Sequence, residues 1–149
     1  MTFDIRPALN SDRQGWDRLF DMYLAFYDTR REAALKDVVW SRIMHPDRPM
    51  HCLVAVAPGG DIAGIANFLY HPTFWEERDS CYLNDLFVDP NYRGQQAGKA
   101  LIEAVQADAR RNSAPEFYWL TGEDNTTARR LYDRLATRSP FVHYVMPEA

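Results

Sequence analysis

The stretch from Cys81 to Gly98, CYLNDLFVDPNYRGQQAG, constrains this chain more than any other. It reads as an apolar strand, an Asp-Pro turn, then Arg93-Gly94 and a glycine-spaced loop that opens a helix. A buried strand that delivers backbone N–H groups at a helix N-terminus makes a cradle for a phosphate or pyrophosphate. The Walker loop needs four residues between its glycine and Gly-Lys, with a hydroxyl residue next. Here three residues separate Gly94 from Gly98-Lys99, and Ala100 follows. The dinucleotide fingerprint needs G-x-G-x-x-G, and Gly94-Gln95-Gln96-Ala97-Gly98 lacks that spacing.

Two further patterns stand in order along the chain. Val88-Asp89-Pro90 precedes Arg93-Gly94-Gln95-Gln96-Ala97-Gly98, and Asn125-Thr-Thr-Ala128-Arg-Arg-Leu131-Tyr132 follows an expected strand at 116–121. On a helix, Asn125, Ala128 and Tyr132 share one face. The first pattern resembles motif A of the GCN5-related N-acetyltransferases, V-x-P followed by [Q/R]-x-x-G-x-[G/A]. The second resembles that family's N-x-x-A-x-x-[L/F]-Y. Gln96 stands where the inner glycine of the loop belongs, so it must present its N–H without glycine's freedom.

The resemblance implies an acetyl-coenzyme A-dependent acetyl transfer, without metal, to a primary amine, either a small amine or a polyamine-like one. By the same resemblance, Arg93, Gly94, Gln95, Gln96, Ala97, Gly98 and Lys99 wrap the pyrophosphate. Leu86, Phe87 and Val88 pair with pantetheine through their backbone, Asn125 bonds its arm beside Ala128, and Tyr132 sits near the thioester sulfur as general acid. The segment Tyr82–Val88 is similar to the diamine and polyamine acetyltransferase branch, Y-L-E-D-[IL]-[YF]-V, with Asn84 at the Glu position. Strand alternation puts Asn84 and Leu86 on one face and Asp85 on the other. Asp85 is then either structural or catalytic. The amine pocket is expected from Tyr23, Tyr27 and Asp28 on one side, and from Asn84, His71, Trp75, Glu76 and Glu77 on the other. Acceptors of two kinds remain open, a small amine and a protein lysine or N-terminus. A non-catalytic acyl-coenzyme A-binding module is the rival from another class.

The 149 residues suit one α/β (α+β) domain over residues 1–149, in the order β-α-α-β-β-β-α-β-α-β. The expected strands are Phe3–Pro7, Met50–Ala57, Ile62–Tyr70, Cys81–Val88, 116–121 and Phe141–Met146. They form a mixed, mostly antiparallel sheet with helices on both faces, the order used by the family it resembles. A net charge of −4 argues against a nucleic-acid partner. No apolar run reaches the length of a membrane span, and no secretory signal opens the chain, so a cytoplasmic protein is expected. Cys52 and Cys81 read as reduced, buried thiols, and no ligand cluster surrounds any of the four histidines. Homodimers are common in families of this kind, but nothing in the sequence locates an interface.

Overall fold

The computed structural model describes residues 2–47 and 50–148. Strand β1 (Asp4–Pro7) leads through a short 3-10 turn into α1 (Arg13–Phe26) and then α2 (Ala33–Met44). A meander follows: β2 (Met50–Val56), β3 (Ile62–His71) and β4 (Ser80–Val88). Helix α3 (Ala97–Arg111), β5 (Phe117–Trp119) and α4 (Thr126–Leu135) complete the chain's regular structure. The sheet order is β1-β2-β3-β4-β5. The first three pairings are antiparallel, and the crossover through α3 makes the fourth, β4 with β5, parallel.

Strand β3 is central, so it is buried on both faces and reads as a near-continuous apolar run. One face carries Ala55, Ala66, Phe68, Cys81 and Leu83 against Leu101, Ile102 and Val105 of α3. The other carries Cys52, Val54, Ile62, Ile65 and Phe87 against Trp16, Leu19 and Trp40 of α1 and α2. Gly15 lets α1 approach the sheet, because a Cβ there would lie 2.7 Å from Ile62 Cγ1. Cys52 and Cys81 are both buried free thiols.

Two expectations need correction. The last strand, near Phe141–Met146, does not form, and that segment has no ladder partner among the described residues. Its β-branched and aromatic residues favour a strand only where a neighbouring edge accepts them. Simple alternation also fails inside β4. Asn67 pairs with Asp85 but Phe68 pairs with Leu83, so Asn84 is the extra residue of a β-bulge. Leu83 and Leu86 therefore pack against the same α3-side cluster, while Asn84 is exposed.

Candidate active site

Strands β4 and β5 pair only from Cys81–Leu83 to Phe117–Trp119, while β4 runs on to Val88. The end of β4 therefore keeps one backbone edge unpaired, and the two strands splay. A cleft of about 360 Å3 opens there. Arg93, Ala97 and Gly98 line one end of it, and Asn125, Ala128, Leu131 and Tyr132 of α4 line its side. Tyr23, Phe26 and Tyr27 of α1 and its C-terminal turn close the other end, with Asn84, Leu86, Phe87 and Val88 from β4.

The loop entering α3 is held from both sides. Asp89 is buried, accepts from Arg18 Nη1 at 2.7 Å, and accepts from the Asn91 N–H at 2.9 Å. Burial alone would raise its pKa, yet the Arg18 guanidinium and the Asn91 N–H hold it below the usual carboxylate value. Gly94 and Gln96 both take left-handed backbone, with φ of 77° and 69°. Gln96, at the position where the motif carries glycine, caps the N-terminus of α3 in that conformation. The first-turn N–H groups of α3 have no intrahelical acceptor and point out of the helix end. Gln95 Oε1 is buried nearby without a hydrogen-bond donor among the described residues. Spare N–H donors at a helix N-terminus suit an anionic phosphate group.

Tyr132 is half-buried and packs edge-on against Trp119, with ring centroids 5.4 Å apart. Burial, with the neighbouring Tyr27 phenol, raises its pKa above the ordinary tyrosine value. It is therefore a neutral O–H at physiological pH, able to donate. Asn125 stands at the N-cap of α4 without capping it, and its Nδ2 instead donates to Thr121 Oγ1 at 3.3 Å. Trp119 and Thr121 also line the cleft.

Asp85 lies on the α1 face of the sheet, in a second cleft of about 250 Å3 that shares Asn84 with the first. It accepts from Asn67 Nδ2 at 3.1 Å and from Asn84 Nδ2 at 2.9 Å. Desolvation raises its pKa, against the opposing pull of hydrogen bonds from Asn67, Asn84 and Tyr23. A carboxylate with a raised pKa, at the bulge where two clefts meet, can take up a proton.

The fold thus brings together Tyr27, Asn84, Leu86, Phe87, Val88, Arg93, Ala97, Gly98, Asn125, Ala128 and Tyr132. Gly94, Gln95, Gln96 and Lys99 belong to the loop and first turn beside the cleft, outside its lining. Trp75 and Glu76 are not brought in. The β3–β4 hairpin runs to His71 and Ser80, so the loop between them sits at its far tip, and Trp75 is 91% exposed there. His71 instead bonds Tyr118 Oη at 2.8 Å. Sequence reasoning missed Asn67, Trp119 and Thr121. Asn67 had a signal, being the one polar side chain in the apolar run of β3.

Residues 16–136 match the model of the acetyltransferase (GNAT) family. The chain belongs to that family. It is 30% identical over 134 residues to D-amino-acid N-acetyltransferase HPA3 of Saccharomyces cerevisiae, covering 89% of this chain and 83% of that one. It is 33% identical over 95 residues to the thialysine N-epsilon-acetyltransferase of Sus scrofa, covering 59% and 55% respectively. The fold superposes on AAC(6')-Iy, solved with the bisubstrate analogue CoA-S-monomethyl-acetylneamine, with a TM-score of 0.85 over all of both chains at 19% identity. The protein is an N-acetyltransferase, and its family uses acetyl-coenzyme A. Among the described residues, no cluster of His, Cys, Asp and Glu could hold a metal ion, and no helix is long and apolar enough to cross a membrane.

Proposed function

We propose that this acetyltransferase moves an acetyl group to the primary amine of a small molecule by direct attack within a ternary complex. One observation carries the reading: a single cleft is lined by Arg93, Ala97 and Gly98 at the start of α3, by Tyr132 of α4 and by the aromatic residues Tyr23, Phe26 and Tyr27. The coenzyme supplies an activated thioester. Backbone N–H groups of Gly94–Lys99 hold its pyrophosphate, and Asn125 with the free edge of Leu86–Val88 holds its pantetheine arm. An N–H of that free edge is aimed to stabilise the developing oxyanion.

An alkyl ammonium has a pKa of about 10.4 and must lose a proton before it attacks. Asp85 receives that proton through water at the Asn84 bulge. The amine nitrogen bonds the carbonyl carbon, the C–S bond breaks, the Tyr132 phenol protonates the leaving sulfur, and the proton the nitrogen sheds on becoming an amide restores the phenol through water. Holding both substrates in one cleft supplies much of the acceleration. Tyr23, Phe26 and Tyr27 receive the organic part of the acceptor, and no carboxylate stands at residue 84 to favour a polyamine.

The test is thiol release from acetyl-coenzyme A over a panel of amines: diamines, polyamines, D- and L-amino acids, thialysine, an aminoglycoside and a lysine peptide. D-amino acids and thialysine are included because relatives bear those names. Release with a small amine and none with the peptide supports the proposal. Release with the peptide alone would overturn the small-molecule reading.

A further inference from the structure

The two clefts that meet at Asn84 hold three charged side chains among the described residues: Arg93 in the first, Arg31 and Asp85 in the second. Arg93 stands at the glycine loop and Asp85 at the bulge, which leaves Arg31 without a role. His51 also lines the second cleft, but burial lowers its pKa and keeps the ring neutral at physiological pH. A fixed turn places Arg31. Asp28 takes left-handed backbone (φ 55°), and the Thr29 N–H donates to the Leu24 carbonyl at 3.0 Å. The same connection carries Tyr27 to the first cleft and Arg31 to the second. Arg31 Nη1 donates to Thr29 Oγ1 at 2.8 Å and to the Arg30 carbonyl at 2.9 Å. Among the described residues its Nε and Nη2 bond nothing and no carboxylate pairs with it. Arg13, Arg18 and Lys36 of α1 and α2 each have one.

We infer that the acceptor is an amine that carries a carboxylate, with Arg31 as the residue that selects it. The guanidinium holds the carboxylate, the second cleft takes the carbon chain, and the amino group reaches the thioester at the Asn84 bulge. The inference rests on the small-molecule acetyl transfer proposed above and names its substrate class. Arg31 and Asp85 line one cleft yet do not pair with each other, because Asn67 and Asn84 hold the Asp85 carboxylate. A ligand with an ammonium at one end and an anion at the other meets both charges. Between them the wall is apolar, built from Leu24 of α1 and from Leu35, Val39 and Ile43 of α2. Such a wall suits a hydrocarbon chain.

The chemistry of the free edge narrows the anion. With Nη1 tethered, Nε and Nη2 remain as two parallel donors, the fork that matches a planar carboxylate. One guanidinium neutralises a monoanion, and no second cation lines the cleft among the described residues to balance a phosphate dianion. A polyamine fits worse, since its second ammonium would meet Arg31 rather than a carboxylate.

Thiol release from acetyl-coenzyme A is measured for amines that differ in the far group alone. Leucine is set against isoamylamine, γ-aminobutyrate against propylamine, and ε-aminocaproate against pentylamine and cadaverine. In at least one set the carboxylate should lead in kcat/KM by about 10-fold or more, the worth of a charge-assisted hydrogen bond. Arg31→Gln should shrink that lead by about 10-fold or more, through KM rather than kcat, and Arg31→Lys should restore part of it. Comparing proteins on one amine cancels differences in basicity between amines. Calorimetry of N-acetylleucine and N-acetyl-ε-aminocaproate, with coenzyme A present, reads the same contact without turnover. No lead for the carboxylate in any set, or a lead indifferent to Arg31→Gln, overturns the inference and leaves acetyl transfer standing. If no amine releases thiol, the acetyl-transfer reading falls and the calorimetry decides the Arg31 contact. Weaker binding by Arg31→Gln then supports it, and equal binding overturns it.

Discussion

Asn67 donates its Nδ2 to Asp85 Oδ2 at 3.1 Å, and it can face no other way. Its Oδ1 is taken by the Trp16 indole N–H at 3.2 Å, and an indole has only a donor to offer. The core of α1 thereby fixes the orientation of an amide in β3, and that amide holds a carboxylate on β4 at the bulge.

Replacing Asn67 with Leu leaves a buried indole N–H without an acceptor and Asp85 with one donor fewer. The expected loss of stability is about 2 kcal/mol by chemical denaturation. The pKa of Asp85 rises further, since Asn67 is among the bonds that lower it. If Asp85 receives the amine proton, the limb of kcat/KM that rises with pH moves to higher pH in Asn67→Leu. An unmoved limb assigns it to another group.

Asp85→Asn separates stability from activity. The folded pKa of Asp85 lies above its unfolded value, so the folded state binds the proton more tightly. The stability this group contributes is present below the unfolded pKa and is lost as pH rises through the folded one. Asparagine never ionises and keeps an acceptor for Asn67, and the exposed Asn84 can turn to meet its NH2. The variant should therefore melt higher than the native protein at pH 7 and gain nothing at pH 3. Its acetyl transfer falls about 100-fold if the carboxylate takes the proton.

Much of this arrangement was legible in the sequence because it depends on local chemistry. The loop glycines, the Pro90 turn and the helical spacing of Asn125, Ala128 and Tyr132 are features of short segments, and the fold brings them to one cleft. What was not legible depends on pairing between distant strands. The bulge at Asn84 exists only in the β3–β4 register, so period-two reasoning could not show that Leu83 shares a side of the sheet with Leu86. The segment Phe141–Met146 carries the composition of a strand, but composition cannot supply an edge to pair with. Trp75 and Glu76 looked suited to an ammonium group, yet the length of the hairpin carries them away from the cleft.

Tyr132→Phe keeps the ring against Trp119 and removes only the proton. The expected result is a loss of about 100-fold in kcat, with KM for acetyl-coenzyme A changed by less than about 2-fold. Thiol release at saturating substrate measures it. An unchanged kcat would remove Tyr132 as the acid while leaving the cleft's other assignments intact.

Arg18→Met tests what holds the loop. Asp89 is only 3% exposed, and its carboxylate relies on the guanidinium and one N–H. Without Arg18 a buried charge lacks its counterion, at a cost of about 2 kcal/mol near neutral pH, Arg18 itself being half exposed. The folded pKa of Asp89 is depressed, so the stability it contributes is present above the unfolded pKa and is lost as pH falls through the folded value. The gap between the two proteins should therefore narrow below about pH 4 as the carboxyl is protonated in both. A gap that stayed constant into acid would assign the loss to packing rather than to the ion pair.

Gln96 sits at φ 69° and ψ 20°, a left-handed conformation that costs a side-chain-bearing residue about 1–2 kcal/mol. Gln96→Gly relieves that strain but gives the unfolded chain more freedom, worth about 0.5–1 kcal/mol. The net gain expected is about 0.5–1 kcal/mol, visible as a rise in Tm of roughly 1–4 °C. Gln96→Val cannot relieve the strain and adds a branched side chain to it, so it should lose about 1–2 kcal/mol. If the loop's N–H groups hold the pyrophosphate, the two variants also move the KM for acetyl-coenzyme A in opposite directions, down for glycine and up for valine. Equal KM values in both variants, with the stabilities ordered as expected, would show that the backbone at Gln96 shapes the fold and takes no part in binding the coenzyme.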